Sequence, residues 1–135
     1  MTKPSLESKY LGAMIGSAVG DAIGELAFHY PERNKLTQVV EGVAELRYTD
    51  DTAMAIGLAT SLVNKGYLDG QDLGETFRLN FEREPWRGYA GGPPTVFTMA
   101  RSLGIPYAQA AQSLFGGSGS FGNGAAMRIA PLGLF

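Results

Sequence analysis

Apolar residues recur at spacings of three and four over residues 8–27, which is the pattern of a helix with one apolar face. Glycine recurs on the same helix at every fourth position. Because a glycine in a helix interior costs about 1 kcal/mol relative to alanine, four on one stripe predict the close approach of another backbone. The apolar series is Leu11, Met14, Ile15, Ala18, Val19, Ala22 and Leu26, and the glycine stripe is Gly12, Gly16, Gly20 and Gly24.

A second helix is predicted over residues 50–65, where apolar positions again follow helical spacing. Thr49 or Asp50 is suited to cap its start, because short oxygen side chains accept hydrogen bonds from the free amides there. Lys65 and Gly66 are typical of a helix end. The buried face is predicted to consist of Ala55, Leu58, Ala59, Leu62 and Val63.

A third helix is predicted over residues 70–82, with Asp69 as its cap. Residues 84–92 combine proline with three glycines and predict a loop. Residues 30–47 are compatible with either a short helix or an extended segment, and the pattern does not decide between them. The inward-facing positions of the third helix are predicted to be Leu73, Phe77 and Phe81.

Three shorter helices are predicted near the end of the sequence. Pro93 and Pro94 fit the first turn of a fourth helix that runs to Gly104. Pro106 opens a fifth helix that ends near Phe115, and a sixth begins over residues 125–129. Because no alternating strand pattern occurs, the predicted fold is all-α.

Composition narrows the possible chemistry. The absence of cysteine excludes disulfides, thiolate zinc sites and cysteine nucleophiles, and the single histidine, His29, excludes a site with several histidine ligands. A net charge of −2 gives no electrostatic sign of binding to nucleic acid or acidic membranes. The apolar run of residues 11–19 is shorter than the roughly 20 residues that span a bilayer, and no secretory signal precedes it. A cytoplasmic protein is predicted, with chemistry carried by carboxylates and hydroxyls.

The start of the second helix carries four short oxygen side chains in a row, Thr49, Asp50, Asp51 and Thr52. Such oxygens are the ligands that Mg²⁺ prefers, and the positive end of the helix dipole favours ionised carboxylates there. A plain N-cap is the alternative interpretation, since Thr and Asp are common caps. The second carboxylate and second hydroxyl exceed what a cap needs.

Residues 116–124 contain five glycines and precede a predicted helix. Such a loop turns backbone N–H groups towards an anion, for example a phosphate. The alternative is a flexible connection, because no Walker lysine and no preceding strand is present. Polar and aromatic contacts would come from Ser118, Ser120, Asn123, Phe115 and Phe121.

Two acidic residues of the first helix, Asp21 and Glu25, lie one turn apart on the same face as Phe28. A carboxylate on a packed face is costly unless it is paired or bound to metal. The alternative is that both face solvent. For His29 a surface or helix-capping role is predicted, and Trp86 and Tyr89 either line a cleft or anchor their loop.

Three motifs together resemble the ADP-ribosylglycohydrolase family. They are Gly-Asp-Ala-Ile-Gly at residues 20–24, Tyr-Thr-Asp-Asp-Thr-Ala-Met at 48–54 and Gly-Asn-Gly-Ala-Ala-Met-Arg at 122–128. The resemblance implies an all-α, multi-helix orthogonal fold with two Mg²⁺ ions in a central cleft. It further implies hydrolysis of the N- or O-glycosidic bond that joins ADP-ribose to a protein side chain or a small molecule. The loop at residues 87–89 is most similar to the branch that cleaves serine-linked ADP-ribose.

The resemblance also implies roles for individual residues. Thr49, Asp50 and Asp51 correspond to the metal ligands, and Asp51 is additionally a candidate catalytic residue. The diphosphate and distal ribose would bind the glycine loop, and the adenine would pack near an aromatic residue. A further substrate contact would come from the loop that precedes the fourth helix. These substrate-binding positions are Gly119, Ser120, Phe121, Gly122, Asn123, Phe115 and Gly91.

The sequence departs from the family pattern in two respects. Where the family carries a glutamate seven residues after the first-motif aspartate, this chain has Phe28, and Glu25 is the candidate substitute, either as a metal ligand or as the catalytic general acid or base. The family's second metal motif, Asp-x-Asp-Ser/Thr, does not occur after Asp72. Residues 1–135 are therefore predicted to be the N-terminal part of a single, apparently truncated domain, which is inactive and either unstable or self-associating when isolated. The alternatives are a non-catalytic ADP-ribose-binding or structural relative, and a magnesium-dependent phosphohydrolase.

Overall fold

The computed structural model of the chain describes residues 3–135, and over these residues it has seven α-helices, one 3-10 helix and no strand. The predicted all-α fold is confirmed. The helices are α1 (Leu6–His29), α2 (Arg33–Gly42), α3 (Asp50–Lys65), α4 (Gly70–Arg83), α5 (Gly92–Leu103), α6 (Tyr107–Ser113) and α7 (Ala130–Leu134), with the 3-10 helix at Leu114–Gly117.

The helix ends follow the local signals in the sequence. The Thr49 side chain caps α3, Asp69 caps α4 by accepting from two backbone amides, and Gly66 ends α3 with a φ of 74°. A left-handed residue of this kind favours glycine. Two prolines occupy the first turn of α5 as predicted. The segment that the pattern left open forms a helix, α2.

The core is built around α3, which packs against α4, α7 and α1. Three of the predicted α3 core residues, Ala55, Leu58 and Leu62, are buried, but Val63 is 73% exposed. Val63 lies one position round the helix from Leu62, on a side that the described residues leave uncovered. The core cluster comprises Met54, Leu58, Leu62, Phe77, Phe97, Ala100, Tyr107 and Ala110.

Helix α1 departs most from prediction, because only Ala22 is buried on it. Leu11, Ile15 and Val19 are 52%, 61% and 43% exposed. A Cβ built on any glycine of the stripe would meet no atom within 4 Å, so the predicted backbone approach is wrong for the described residues. The neighbours of α1 are α2, α3 and α7, and none of them crosses the stripe.

The length of α1 also changes the interpretation of its apolar run. At 24 residues the helix is long and apolar enough to cross a membrane, a test that core helices of soluble proteins also pass. The run over residues 11–19 is thus part of a longer apolar helix than the sequence suggested. The absence of a membrane partner stays a prediction.

The predicted sixth helix over residues 125–129 is wrong in position. These residues form turns, with Met127 N–H donating to the Asn123 carbonyl at 3.0 Å and Ile129 N–H to the Ala126 carbonyl at 3.3 Å. Helix α7 begins only at Ala130 and carries Pro131 in its first turn. Proline is tolerated there but would interrupt a helix that started earlier, because it lacks the N–H needed further along.

Helices α4 and α6 are joined by a polar network around Glu75, whose side chain is 48% exposed while its partners Arg78 and Tyr107 are buried. The Arg78 guanidinium donates to both Glu75 oxygens, at 3.0 and 2.6 Å, and also pairs with Glu82. The Tyr107 hydroxyl donates to Glu75 Oε2 at 2.6 Å. Hydrogen bonds from Arg78 and Tyr107 lower the pKa of Glu75 to about 2. The ionised carboxylate therefore stabilises the contact between the two helices.

This network predicts a loss of stability in acid. Because the pKa of Glu75 is about 2 in the folded chain and near 4.5 when it is free, its contribution is complete above pH 4.5 and is lost as the pH falls towards 2. We expect Glu75→Gln to lower the free energy of unfolding by about 1 kcal/mol at pH 6, a value discounted for solvent screening, and by little at pH 2. Urea unfolding at both pH values measures this. A matched Glu41→Gln change on exposed α2 should lack the pH dependence, and an equal effect in both variants would contradict the assignment.

Candidate active site

A cavity of about 730 Å³ opens where α1 meets the start of α3. Four carboxylates line it, two from each of these helices, together with the side chain of Asn123 and the backbone after Arg87. The acidic residues that lie together here are Asp21, Glu25, Asp50 and Asp51. The structure thus places in one cavity the first, second and third motifs, which lie far apart in the sequence.

Asp21 joins α1 to α3 through four hydrogen bonds. Its carboxylate accepts from the Thr49 amide at 2.8 Å and hydroxyl at 2.6 Å, and from the Thr52 amide at 3.1 Å and hydroxyl at 2.6 Å. The alternative that Asp21 faces solvent is therefore wrong. Glu25, one turn later, is exposed and lines the cavity.

The two acidic residues at the start of α3 are destabilised in their ionised form. Burial first, and then the charge of Asp51, raise the pKa of Asp50 to about 6. Burial and the charge of Asp21 likewise raise the pKa of Asp51. Among the described residues no lysine or arginine forms a salt bridge with either carboxylate. Crowded carboxylates that lack a cationic partner favour the uptake of a cation.

The donor set fits a hard divalent ion only in part. Asp50 and Asp51 supply the carboxylates, while the Thr49 hydroxyl donates its hydrogen to Asp21 and offers its remaining lone pairs. Mg²⁺ is often held by one or two carboxylates and several waters. Over residues 3–135, however, no group of three or more acidic or histidine side chains is arranged closely enough to hold a metal. The described residues therefore supply only part of the donor set that such an ion requires.

The predicted substrate loop reaches this cavity at one residue. Asn123 lines the cavity, and its Nδ2 lies 3.5 Å from Asp51 Oδ1, the outer limit of a hydrogen bond. Gly91 does not line the cavity, whereas Gly88 and Ala90 of the same loop do. The other predicted substrate residues lie outside the lining of this cavity, and they are Phe115, Gly119, Ser120, Phe121 and Gly122.

The aromatic residues of the glycine loop are open to solvent. Phe121 is fully exposed, and Phe115 is 60% exposed with a φ of 54°, in the left-handed region that a bulky side chain rarely adopts. Gly116, Gly117 and Gly119 also have positive φ, which explains part of the glycine content of this loop. The roles of these residues in substrate binding stay predictions.

Two positively charged residues near the site lie in segments that carry the family resemblance, but the sequence predicted no individual role for either. Arg128 is half-buried below the cavity, where its guanidinium lies over the Phe77 ring at 5.0 Å. Burial lowers its pKa, and the charge of Asp50 opposes that shift. Arg87 contacts the residue before the acidic motif, 39 positions away. The sequence signal for Arg87 was its position in a glycine-containing loop.

The loop aromatics divide between the two predicted roles. Tyr89 anchors the loop, because its ring packs edge-on against Phe81 at 5.1 Å, whereas Trp86 is 71% exposed. Phe28 is also 85% exposed and lines the cavity. His29 lies exposed in the last turn of α1, as predicted.

The Tyr89 hydroxyl is buried without a hydrogen-bond partner in the part of the chain described. Burial and the nearby Asp50 charge raise its pKa to about 12. Since an unsatisfied buried hydroxyl costs about 1 kcal/mol or more, we expect Tyr89→Phe to leave the stability unchanged or raise it by about 1 kcal/mol. Thermal melting measures the effect. Tyr107→Phe is the matched control, and it should destabilise because that hydroxyl is bonded to Glu75. A loss of stability in Tyr89→Phe as large as in Tyr107→Phe would show that the hydroxyl is bonded.

Comparison with known proteins adds independent information. The family model described as ADP-ribosylglycohydrolase matches residues 2–135. The chain is 38% identical to ADP-ribosylhydrolase ARH3 of Danio rerio, over 94% of this chain and 37% of the relative. It is 34% identical to the Homo sapiens ARH3, over 94% and 39%. It is also 34% identical to ADP-ribosyl-[dinitrogen reductase] glycohydrolase of Rhodospirillum rubrum, over 99% and 47%. The chain spans less than half the length of each of these relatives.

Proposed function

The chain belongs to the ADP-ribosylglycohydrolase family, and we propose that it forms one side of a magnesium-dependent active site that releases ADP-ribose from a modified protein side chain or small molecule. The observation that carries this proposal is the convergence of Asp21, Glu25, Asp50, Asp51 and Asn123 on one cavity. A purely structural helix start gains nothing from two adjacent carboxylates of raised pKa. A cation bound opposite them would compensate the charge of both carboxylates.

Each cavity residue has a part in this proposal. Asp50 and Asp51 hold the ion, and Asp21 fixes the first turn of α3 through the two threonines. When bound, Mg²⁺ stabilises negative charge on oxygen and orients the ribose hydroxyls and a water. The reaction adds water across the bond at the anomeric carbon of the proximal ribose. The hydroxyl of the water ends on the anomeric carbon of the ribose, and its proton goes to the released side chain or small molecule.

Glu25 is the candidate general acid or base for this proton transfer. Its carboxylate is exposed and faces the cavity one turn before Phe28, which occupies the family's glutamate position. Carboxylates commonly move the proton when glycosidic bonds are hydrolysed. When the chain is mixed with a polypeptide equivalent to the unmatched remainder of a relative, Glu25→Gln should therefore abolish release of ADP-ribose without changing cation binding, whereas Glu41→Gln on α2 should change neither.

The non-catalytic alternative is favoured by one observation, the phenylalanine at position 28. In that case the cavity binds ADP-ribose and releases nothing. The magnesium-dependent phosphohydrolase is the remaining alternative, and its product is free phosphate.

The decisive experiment measures products released from serine-linked, arginine-linked and O-acetyl ADP-ribose substrates in Mg²⁺ or EDTA. The 135-residue chain is assayed alone and mixed with a polypeptide equivalent to the unmatched remainder of the Danio rerio relative. We expect no product from the isolated chain, because its donor set is partial, and Mg²⁺-dependent release of ADP-ribose from the mixture. Release of phosphate would indicate the phosphohydrolase. Binding of ADP-ribose with no release by an assembled mixture would indicate the non-catalytic relative.

A further inference from the structure

The loop after α4 is joined to the start of α3 by two hydrogen bonds, one between backbone groups and one from a side chain to a backbone carbonyl. The Asp50 amide donates to the Arg87 carbonyl at 2.7 Å. In the opposite direction, Arg87 Nη1 donates to the Tyr48 carbonyl at 2.9 Å. One residue, Arg87, thereby contacts the chain on both sides of Thr49.

The guanidinium of Arg87 is itself held on several sides. It donates to both Glu84 oxygens, at 3.2 and 2.7 Å, and lies over the Tyr48 ring at 3.7 Å from the centroid. The side chain is 16% exposed. A planar fork that forms two parallel hydrogen bonds and stacks on an aromatic ring is a property of arginine that lysine does not share.

The loop also passes close to the carboxylate of Asp50. Gly88, next to Arg87, has a φ of 83°, and a Cβ built on it would lie 4.0 Å from Asp50 Oδ1. Glycine permits this turn without strain. The loop therefore fixes the amide of Asp50 and borders the space into which its carboxylate points.

We infer that Arg87 is a positioning residue for the cation site: by holding residues 48–50 it keeps the first turn of α3 in the orientation that directs Asp50 and Asp51 into the cavity. This inference rests on the proposed function. Arg87 acts through the backbone of the ligand-bearing turn and contacts neither the ion nor the substrate. Its effect should therefore appear in cation affinity, beyond any effect on folding.

The test is a titration of the 135-residue chain with Mn²⁺, followed by electron paramagnetic resonance of the free ion. Partners that orient metal ligands commonly change metal affinity 10- to 100-fold, so we expect Arg87→Lys to weaken Mn²⁺ binding by about tenfold. Glu84→Gln, which removes the charge that holds the guanidinium, should weaken it by a smaller factor. This second variant provides the answer if Arg87→Lys fails to fold.

Arg78→Lys is the matched control. Arg78 also forms a two-point pair with a glutamate three residues away, but it lies on α4 beside Tyr107. It should lose comparable thermal stability while retaining wild-type Mn²⁺ affinity. Equal weakening in Arg78→Lys and Arg87→Lys would overturn the inference.

Two further outcomes separate this inference from the proposed function. Unchanged affinity in both Arg87→Lys and Glu84→Gln, combined with loss in Asp50→Asn, would overturn the positioning role and leave the cation site standing. Unchanged affinity in Asp50→Asn would remove the cation site itself, and with it the positioning role.

Discussion

Asp50→Asn is expected to stabilise the chain above pH 6 when no divalent cation is present. The pKa of Asp50 is about 6 in the folded chain and near 3.8 when free, so at neutral pH the folded state holds a charge that it disfavours. Allowing for solvent screening, we expect a gain of about 1 to 2 kcal/mol, and a rise in Tm of about 3 to 8 °C. Because the penalty disappears as the pH falls below 3.8, the gain should shrink from pH 7 to pH 4.

A divalent cation should reverse the sign of this effect. On the proposed function, Mn²⁺ or Mg²⁺ is expected to stabilise the wild-type chain by binding its folded form, whereas the variant lacks one carboxylate charge at the site. Thermal melting at pH 7 and pH 4, with EDTA or with excess Mn²⁺, measures both parts. Glu41→Gln serves as the control for removing any one negative charge. A destabilised Asp50→Asn chain in EDTA at pH 7 would show that the carboxylate is paired.

Gly74→Ala is expected to be among the most damaging single changes in the core. A Cβ on Gly74 would lie 2.3 Å from Tyr107 Cγ and 2.4 Å from Cδ2, well inside van der Waals contact. Tyr107 is 6% exposed, and its hydroxyl and amide are both hydrogen-bonded, so its ring has no room to move. We expect a loss of about 3 kcal/mol, at the upper end for overpacked cores.

Gly16→Ala is the matched control, since it makes the same change on an open helix surface. No atom lies within 4 Å of the added methyl group, so the helix should gain up to about 1 kcal/mol. Urea unfolding of the two variants compares them directly. Equal loss in both would mean that the α1 stripe is covered in solution, for example by a second copy of the chain.

The sequence predicts those parts of the fold that local chemistry decides. Thr49, Gly66 and Asp69 mark helix ends because each bonds to backbone within four residues of itself. Val63 and the glycine stripe were misjudged for a different reason. Spacing shows which residues share a helix face, but only the tertiary neighbours decide whether that face is covered.

In the candidate site, too, the features set by local sequence were predictable and those set by tertiary contacts were not. The acidic motif at the start of α3 is visible in the sequence, whereas its proximity to Asn123, 72 residues later, rested on family resemblance. The bond between Arg87 and Tyr48 spans 39 residues and leaves no local pattern. Most of the glycine loop lies outside the cavity. Its path includes positive φ angles at three glycines, which the glycine content permits but does not fix.

The attachment of α1 has a consequence for how the cavity opens. This helix buries little apolar surface and is held to α3 by the four bonds to Asp21. Because few of its residues are buried, we expect α1 to open locally at a lower free-energy cost than the α3–α4 pair. Its amides should exchange with deuterium ahead of those of α3. If α1 opens before the rest of the fold, we expect access to the carboxylates to depend on that local equilibrium.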